Sequence, residues 1–531
     1  MSTAFDVRET TKLEGLYEQA FPSGKAMQVE AVNVFFREIH RLETDVFPRN
    51  LTIKLSVEQW ALDALDKSTG PMQQLMFRSL LFRLTLAERY FDSLIADVSS
   101  GQFTLDERYF LFWQAYCRLF MYRQFDTPER RLKLHGLYRQ LYLEIRNYFP
   151  PFLFNKKLAR KNTDTIVVLT NQLLGISHAP TRVCMEYCRF LKEELGKRVV
   201  LINTADLPRH NNLPFYGYRA ARYVPEHSAQ NILPYKETQI EFHQFTEPMP
   251  AFTSMENILE LLTELDPGFV LSLGGASLMG DLLGEITQVV AMNYSLDFPI
   301  AVNGLRVLQG EDNPDSKALR TALGFDETQL IHVPAYCIAP EASERVLSRE
   351  ELALPADRFV IALVGNRLEA ELDEAFLAML EQWVQQEPRL HFALIGFFEK
   401  HALVENHFPT LHQHVSYLAY QPDLMAVYPA CDLYLNPPRT GAGTSAAFAL
   451  AAGLPVLCMS DGDVAGVAGE GCIYESPESL RAEISCLAND QDYYSSCVSK
   501  VALRYRELCD FQTPLNKIVT TAMQTSRARY S

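Results

Sequence analysis

Residues 436–457 read NPPRTGAGTSAAFALAAGLPVL, and this stretch decides the fold. The residues leading into it, DLYLNP, form a strand pattern ending in Pro437 and Pro438, which cannot donate ladder hydrogen bonds, so the chain must leave its sheet there. PRTGAGT then opens into SAAFALAA, a helix pattern closed by Gly453 and followed by Pro455. A strand edge, a glycine loop and a helix N-terminus thus meet at one point. Open α/β sheets bind ligands at such carboxyl ends, and free backbone N–H groups together with the helix dipole favour an anion such as a diphosphate. Gly441 and Gly443 permit close backbone approach, while Thr444 and Ser445 add hydroxyl donors. No lysine follows the glycines, so this is not a Walker loop and nucleotide hydrolysis is not implied. A tight strand-to-helix turn is the competing reading.

The same alternation extends on both sides. FVIALVG, the helix EAFLAMLEQWVQQ, HFALIG, HVSYLAY, the helix PDLMAVYPAC and PVLCMS place a doubly wound domain over 336–490. TIVVLT, TRVCMEYCRFLKEELG, RVVLIN, GFVLSLG and FPIAVNG predict an earlier one over 161–335, with parallel strands and right-handed crossovers. Between them 334–357 reads as a hinge, with Ser348 and Glu351 spaced as a capping box. Residues 1–160 are helical throughout, as in YFLFWQAYCRLFMYRQF, and their aromatic density reads as helix packing with nothing catalytic. Residues 491–531 are helical again and are expected to cross back to the first domain. The predicted fold class is α/β: two Rossmann-like, doubly wound domains facing a cleft, preceded by an all-helical domain.

A chain of 531 residues with 48% hydrophobic and 21% charged residues is a folded protein of several packed units. A formal charge of -16 argues against nucleic acid as a partner. Neither a leader peptide nor a run of about 18 apolar residues is visible, so a cytoplasmic location is expected. Lys156, Lys157, Arg160 and Lys161 offer a basic face to an anionic membrane, a solvated linker being the alternative. The ten cysteines lack CxxC spacing and predict neither a zinc site nor a disulfide framework; Cys184 and Cys188 read as small apolar filler on a helix.

Three segments, GNRLEAEL at 365–372, YQPDLMAVYPACDLYLNPPRTGAGTSAAFALAAGLPV at 420–456 and DGDVAGVAGEG at 461–471, resemble in order and spacing the C-terminal half of GT-B-fold glycosyltransferases. The resemblance implies metal-independent transfer of a sugar from a nucleotide-sugar donor, a UDP-sugar among the candidates, with no cofactor. By the same resemblance Arg367 grips the donor diphosphate, assisted by Arg439 and by the amides of Gly443, Thr444 and Ser445. An ion pair with Glu371, four residues on, is the alternative for Arg367. Tyr420 and Leu424 fall where relatives hold the nucleobase. Phe448 departs from the pattern: relatives carry a glutamate there that accepts hydrogen bonds from the donor ribose, which phenylalanine cannot do. Thr440 stands where many retaining members keep a second acid, so their two-glutamate signature is missing. Asp461 or Asp463 is left to take over the ribose, and Asp461-Gly462-Asp463 reads as a donor-side turn with no metal.

For the acceptor side, the strand IVVLT runs into NQLLGISHAPTR, where His178 is the candidate base of an inverting transfer. Gly274, Gly275 and Asp281 lie in the next loop at the same edge. The helical extension is reminiscent of bacterial glycosyltransferases that modify adhesins or other surface proteins, an analogy of architecture that assigns no acceptor, so protein glycosylation is one candidate and a protein side chain and a growing glycan both remain open. The rival reading is a non-catalytic glycosyltransferase-like subunit that binds a partner enzyme or a protein acceptor, and Phe448 favours it. An epimerase of the same fold would need a ring of acids that the sequence does not present.

Overall fold

The computed structural model describes residues 2–155, 158–159, 162–208, 212–220, 223–310, 314–459, 462–469 and 471–530. Asp461 and the connector residues Lys156, Lys157, Arg160 and Lys161 lie outside them. The strands are β1 (Asn162–Thr170), β2 (Arg198–Asn203), β3 (Ile232–Tyr235), β4 (Thr238–Gln244), β5 (Pro267–Leu273), β6 (Val289–Met292), β7 (Leu305–Gln309) and β8 (Leu330–Val333), then β9 (Phe359–Gly365), β10 (Leu390–Gly396), β11 (Val415–Tyr417), β12 (Leu433–Asn436) and β13 (Val456–Cys458).

Two sheets result. The first runs β3-β4-β2-β1-β5-β6-β7-β8 and is parallel except for the β3–β4 hairpin. The second runs β11-β10-β9-β12-β13 and is wholly parallel. In each, the first strand in sequence has later strands on both sides, so strand order reverses at β1 and at β9. A crevice opens at the carboxyl ends of strands where such a reversal occurs.

Side chains alternate across a strand, and β1 shows which layers cover the first sheet. Val167 and Leu169 join the core that contains Phe110, Trp113 and Tyr138 of the N-terminal helices. Ile166 and Val168 face the other way, toward Cys184, Cys188 and the last helix, Gln512–Tyr530, through Leu515, Ile518 and Ala522. The helical domain is therefore a structural layer of the first Rossmann-like domain, packed on its sheet, and the chain's final helix covers the opposite face.

One expected strand is absent. FPIAVNG is irregular over 298–304, with a single bridge from Ile300 to Ala276, and the strand is the following LRVLQ. Pro299 has no N–H for a ladder, and the amides of Val302 and Asn303 are spent on the Asp281 carboxylate at 2.7 and 2.8 Å. No helix among the described residues is long and apolar enough to cross a membrane.

Candidate active site

β9 and β12 lie side by side in the second sheet, and the segments leaving their carboxyl ends form the crevice at its reversal point. The glycine loop leaves β12, turns through Ala442 in a left-handed conformation (φ 85°) and enters the helix Gly443–Ala451. The first bond of that helix runs from the Ala446 N–H to the Ala442 carbonyl at 3.1 Å. The amides of Gly443, Thr444 and Ser445 precede it and have no carbonyl within the helix to meet. Ser445 is partly committed: its hydroxyl donates to the Ala442 carbonyl at 2.9 Å and lies 3.0 Å from the Tyr434 hydroxyl.

The glycines make room for the protein itself. A Cβ on Gly441 would stand 2.7 Å from Phe120 and 3.2 Å from the Arg367 guanidinium; one on Gly443 would stand 3.0 Å from Asp463. Phe120 belongs to the helix Leu105–Met121 of the N-terminal layer, so that layer reaches into the crevice. One turn earlier, Tyr116 fills the space beside Gly275, where a Cβ would clash with its hydroxyl, and Gly274 approaches Asn171 in the same way. The paired glycines of this loop thus accommodate Tyr116 and Asn171. Asp281 in the same loop is 2% exposed, accepts from the Tyr138 hydroxyl at 2.6 Å and holds the amides of Val302 and Asn303, so it is spent on the fold.

The two arginines divide. Arg439 is buried and fully spent, donating to Asn436 Oδ1 at 2.8 Å, the Val364 carbonyl at 2.6 Å and the Tyr434 hydroxyl at 3.1 Å, and pairing with Glu371. It cannot reach a diphosphate, contrary to the expectation for it. Arg367 also meets Glu371, with Nε 3.1 Å from Oε1, yet its side chain stays 28% exposed and its guanidinium carbon lies 4.9 Å above the Phe120 ring. Both sequence alternatives hold at once for Arg367: the ion pair forms, and the guanidinium borders Gly441. Burial alone would raise the Glu371 pKa, but Arg439 and Arg367 hold it below the usual glutamate range.

Across the crevice stands the helix Ala179–Arg189, with His178 at its N-cap. His178 Nδ1 is 3.1 Å from the Thr181 hydroxyl, and burial lowers its pKa to about 4, so the ring is neutral at pH 7. One turn on, on the same helix face, Arg182 sits over the Phe448 ring with its guanidinium carbon 4.6 Å from the centroid. Phe448 is 8% exposed within the core of the second domain. The position at which relatives keep an acid thus carries an aromatic ring capped by a cation from the first domain. Tyr420 is 37% exposed and stacks on the still more exposed Phe397, with centroids 5.7 Å apart and planes at 8°; Leu424 packs against the core.

Asp463 bridges the domains, because its Oδ1 accepts from the Leu296 amide at 2.7 Å. Asp463, one of the two acids expected to take the ribose, thus has one oxygen engaged by the first domain. Burial, and then the neighbouring Asp297, raise its pKa to about 8. A folded-state pKa above the unfolded value of about 3.9 means that stability declines as pH rises from there toward 8. Asp463→Asn retains an acceptor for Leu296 and removes the charge. Its thermal midpoint should exceed the wild type's by about 2 °C or more at pH 8, and the gap should close as pH falls toward 4. An unchanging gap would refute this account. A cavity of about 940 Å³ is lined by Thr440, Gly462 and Asp463, among others, and not by Arg367 or His178.

Residues 358–490, which contain the loop, Arg367, Tyr420 and Phe448, match the family described as Glycosyl transferases group 1. The second domain is a group 1 glycosyltransferase domain. Among solved structures, a mutant O-GlcNAc transferase from Thermobaculum terrenum is 13% identical, covers 95% of this chain and 100% of its own, and superposes with a TM-score of 0.50. A glycosyltransferase from Rickettsia africae is 12% identical over 71% of this chain and 100% of its own, with a TM-score of 0.49. Anabaena HepE in complex with UDP is 14% identical over 68% and 100%, with a TM-score of 0.46. No curated protein sequence matches the chain. Likeness at these identities shows the fold alone, the GT-B architecture of two facing Rossmann-like domains. Sugar transfer is the activity that the match over residues 358–490 supports. Sequence reading missed Phe120, Arg182 and Phe397 around the crevice. Signals for two of them were present: Phe397 directly follows the strand HFALIG, and Arg182 lies one helical turn after His178.

Proposed function

We propose that this glycosyltransferase moves a sugar from a nucleoside-diphosphate donor to a protein or glycan acceptor, without a metal and with inversion. The observation that carries the reading is the Arg367 guanidinium beside Gly441, in the loop that leads into the open amides of Gly443, Thr444 and Ser445 at the reversal point of the second sheet. In this reading the diphosphate lies on those amides and the helix dipole, and the nucleobase stacks against the exposed Phe397–Tyr420 pair. His178 Nδ1 is held by the Thr181 hydroxyl, and in the tautomer that carries its proton on Nδ1 the ring leaves Nε2 to receive the acceptor's proton. As that acceptor atom bonds to the anomeric carbon, the carbon–oxygen bond to the diphosphate breaks and its electron pair leaves with the nucleotide. Arg367 meets the charge that develops there.

The arrangement of Phe448 under Arg182 favours a second reading, a non-catalytic subunit, because no acid is available to the ribose at that position. Thermal denaturation of the full chain with a panel of nucleoside diphosphates and nucleotide sugars separates the two. A ligand present at 100 times its Kd should add about 2.7 kcal/mol to the folded state. A raised midpoint with at least one nucleotide, together with slow release of sugar from the matching donor, is the expected result. A midpoint unmoved by every nucleotide would overturn the enzyme reading and leave the subunit.

A further inference from the structure

A second cavity, of about 240 Å³, lies between the N-terminal helices and the segment 216–219 of the first Rossmann-like domain. A water occupies about 30 Å³ of liquid, so the space takes a small polar group with part of its hydration shell. Its walls carry three arginines, Arg83, Arg118 and Arg219, against one carboxylate, Glu43. That carboxylate is already engaged: Arg83 Nε lies 3.1 Å from it, and the Tyr216 hydroxyl donates to it at 2.6 Å. In a chain with a formal charge of -16, a concentration of uncompensated positive charge is a local construction and not a consequence of composition.

Arg118 is 5% exposed and has no carboxylate partner among the described residues. Its guanidinium donates to the Gln114 carbonyl and side chain at 3.0 and 3.2 Å and to the Gly217 carbonyl at 3.3 Å, between the rings of Phe82 and Phe215. Carbonyls and rings ease desolvation without cancelling the charge. Burial brings its pKa down to about 10, and Arg219 and Arg83 push the same way. Arg219 is open to solvent and pairs with no carboxylate among the described residues. Its backbone, however, is fixed: fully buried Gln114 accepts from the Arg219 N–H at 2.7 Å and donates to the Arg219 carbonyl at 2.5 Å. The buried glutamine thus fixes the backbone from which the Arg219 side chain lines the cavity.

We propose that this cavity is an oxyanion site, with Arg118 and Arg219 as its charged walls and a phosphate group as its ligand. Guanidinium groups hold phosphate oxygens through charge-assisted, often paired hydrogen bonds. The ligand can be inorganic phosphate or a phosphate carried on a sugar, and the site goes beyond the donor reading because neither the glycine loop nor His178 lines it.

Calorimetric titration of the full chain with inorganic phosphate tests the site. Wild type should bind, Arg219→Ala should bind about tenfold or more weakly, and Arg219→Lys should recover part of the loss. Arg219 is the residue to change because the buried Arg118 also supports the fold. Glucose 1-phosphate in place of phosphate distinguishes the sources: tighter binding that still depends on Arg219 identifies a phosphorylated sugar as occupant, and weaker binding identifies free phosphate. Either result supports the site. Absence of binding to wild type at millimolar phosphate overturns it, as does binding abolished by Arg367→Ala and untouched by Arg219→Ala, which would put the anion on the donor loop.

Discussion

Glu371→Gln should destabilise the second domain by about 3–5 kcal/mol, read as a lower midpoint of its transition in chemical denaturation. The reason lies in what the substitution leaves behind. Arg439 is among the largest fully buried side chains in the protein, and Glu371, its only carboxylate partner among the described residues, is 7% exposed. The remaining donors of Arg439 reach neutral oxygens on Asn436, Val364 and Tyr434, which satisfy hydrogen bonds without neutralising the cation. A neutral amide at 371 therefore strands a positive charge under the sheet. Because Arg439 ties the end of β12 to the end of β9 through Val364, the damage should centre on the crevice. Arg367→Ala is the matched control, since it removes the outer arginine and leaves the buried pair whole. A Glu371→Gln midpoint within about 1 kcal/mol of wild type would show that the pair contributes little and that the charge finds other compensation.

Much of this organisation is legible in the sequence because strand patterns are local. FVIALVG and HFALIG form β9 and β10, and the strand, glycine loop and helix around Gly441 follow from Pro437, Pro438 and Gly453 alone. Partners across the fold are less legible. A run such as IVVLT declares both faces apolar without saying what covers each, so the helical segment reads as a separate domain although its core continues into β1 and β2. The same limit affects the site. A glycine states only that a Cβ is unwelcome; that Phe120 and Asp463, and not substrate, occupy the space is a tertiary fact. Asp281 looks like a cleft acid by its place in a loop, but its lone pairs are taken by two backbone amides and a tyrosine. Phe448 stands out in the sequence as a missing acid. Only the structure supplies Arg182, more than two hundred positions away, as its companion.

The fate of Arg367 separates function from folding within the same ion cluster. Two arginines share Glu371, so the cluster carries one positive charge in excess, and the partly exposed Arg367 is the member that presents it beside the glycine loop. Phe120 holds the guanidinium from the helical side and Glu371 from the sheet side, so its position is set before any donor arrives. A preorganised cation next to open helix amides is the arrangement that stabilises charge developing on a leaving diphosphate. Arg367→Ala should therefore reduce kcat on the donor selected by the nucleotide panel by about 10²–10³-fold, with a denaturation midpoint close to wild type. Arg367→Lys should recover a minor part of the rate, because a point charge lacks the planar fork that lies over Phe120 while gripping two oxygens. If kcat survives and only KM rises, the arginine binds ground state and transition state alike, and leaving-group stabilisation must come from the amides of Gly443, Thr444 and Ser445 alone.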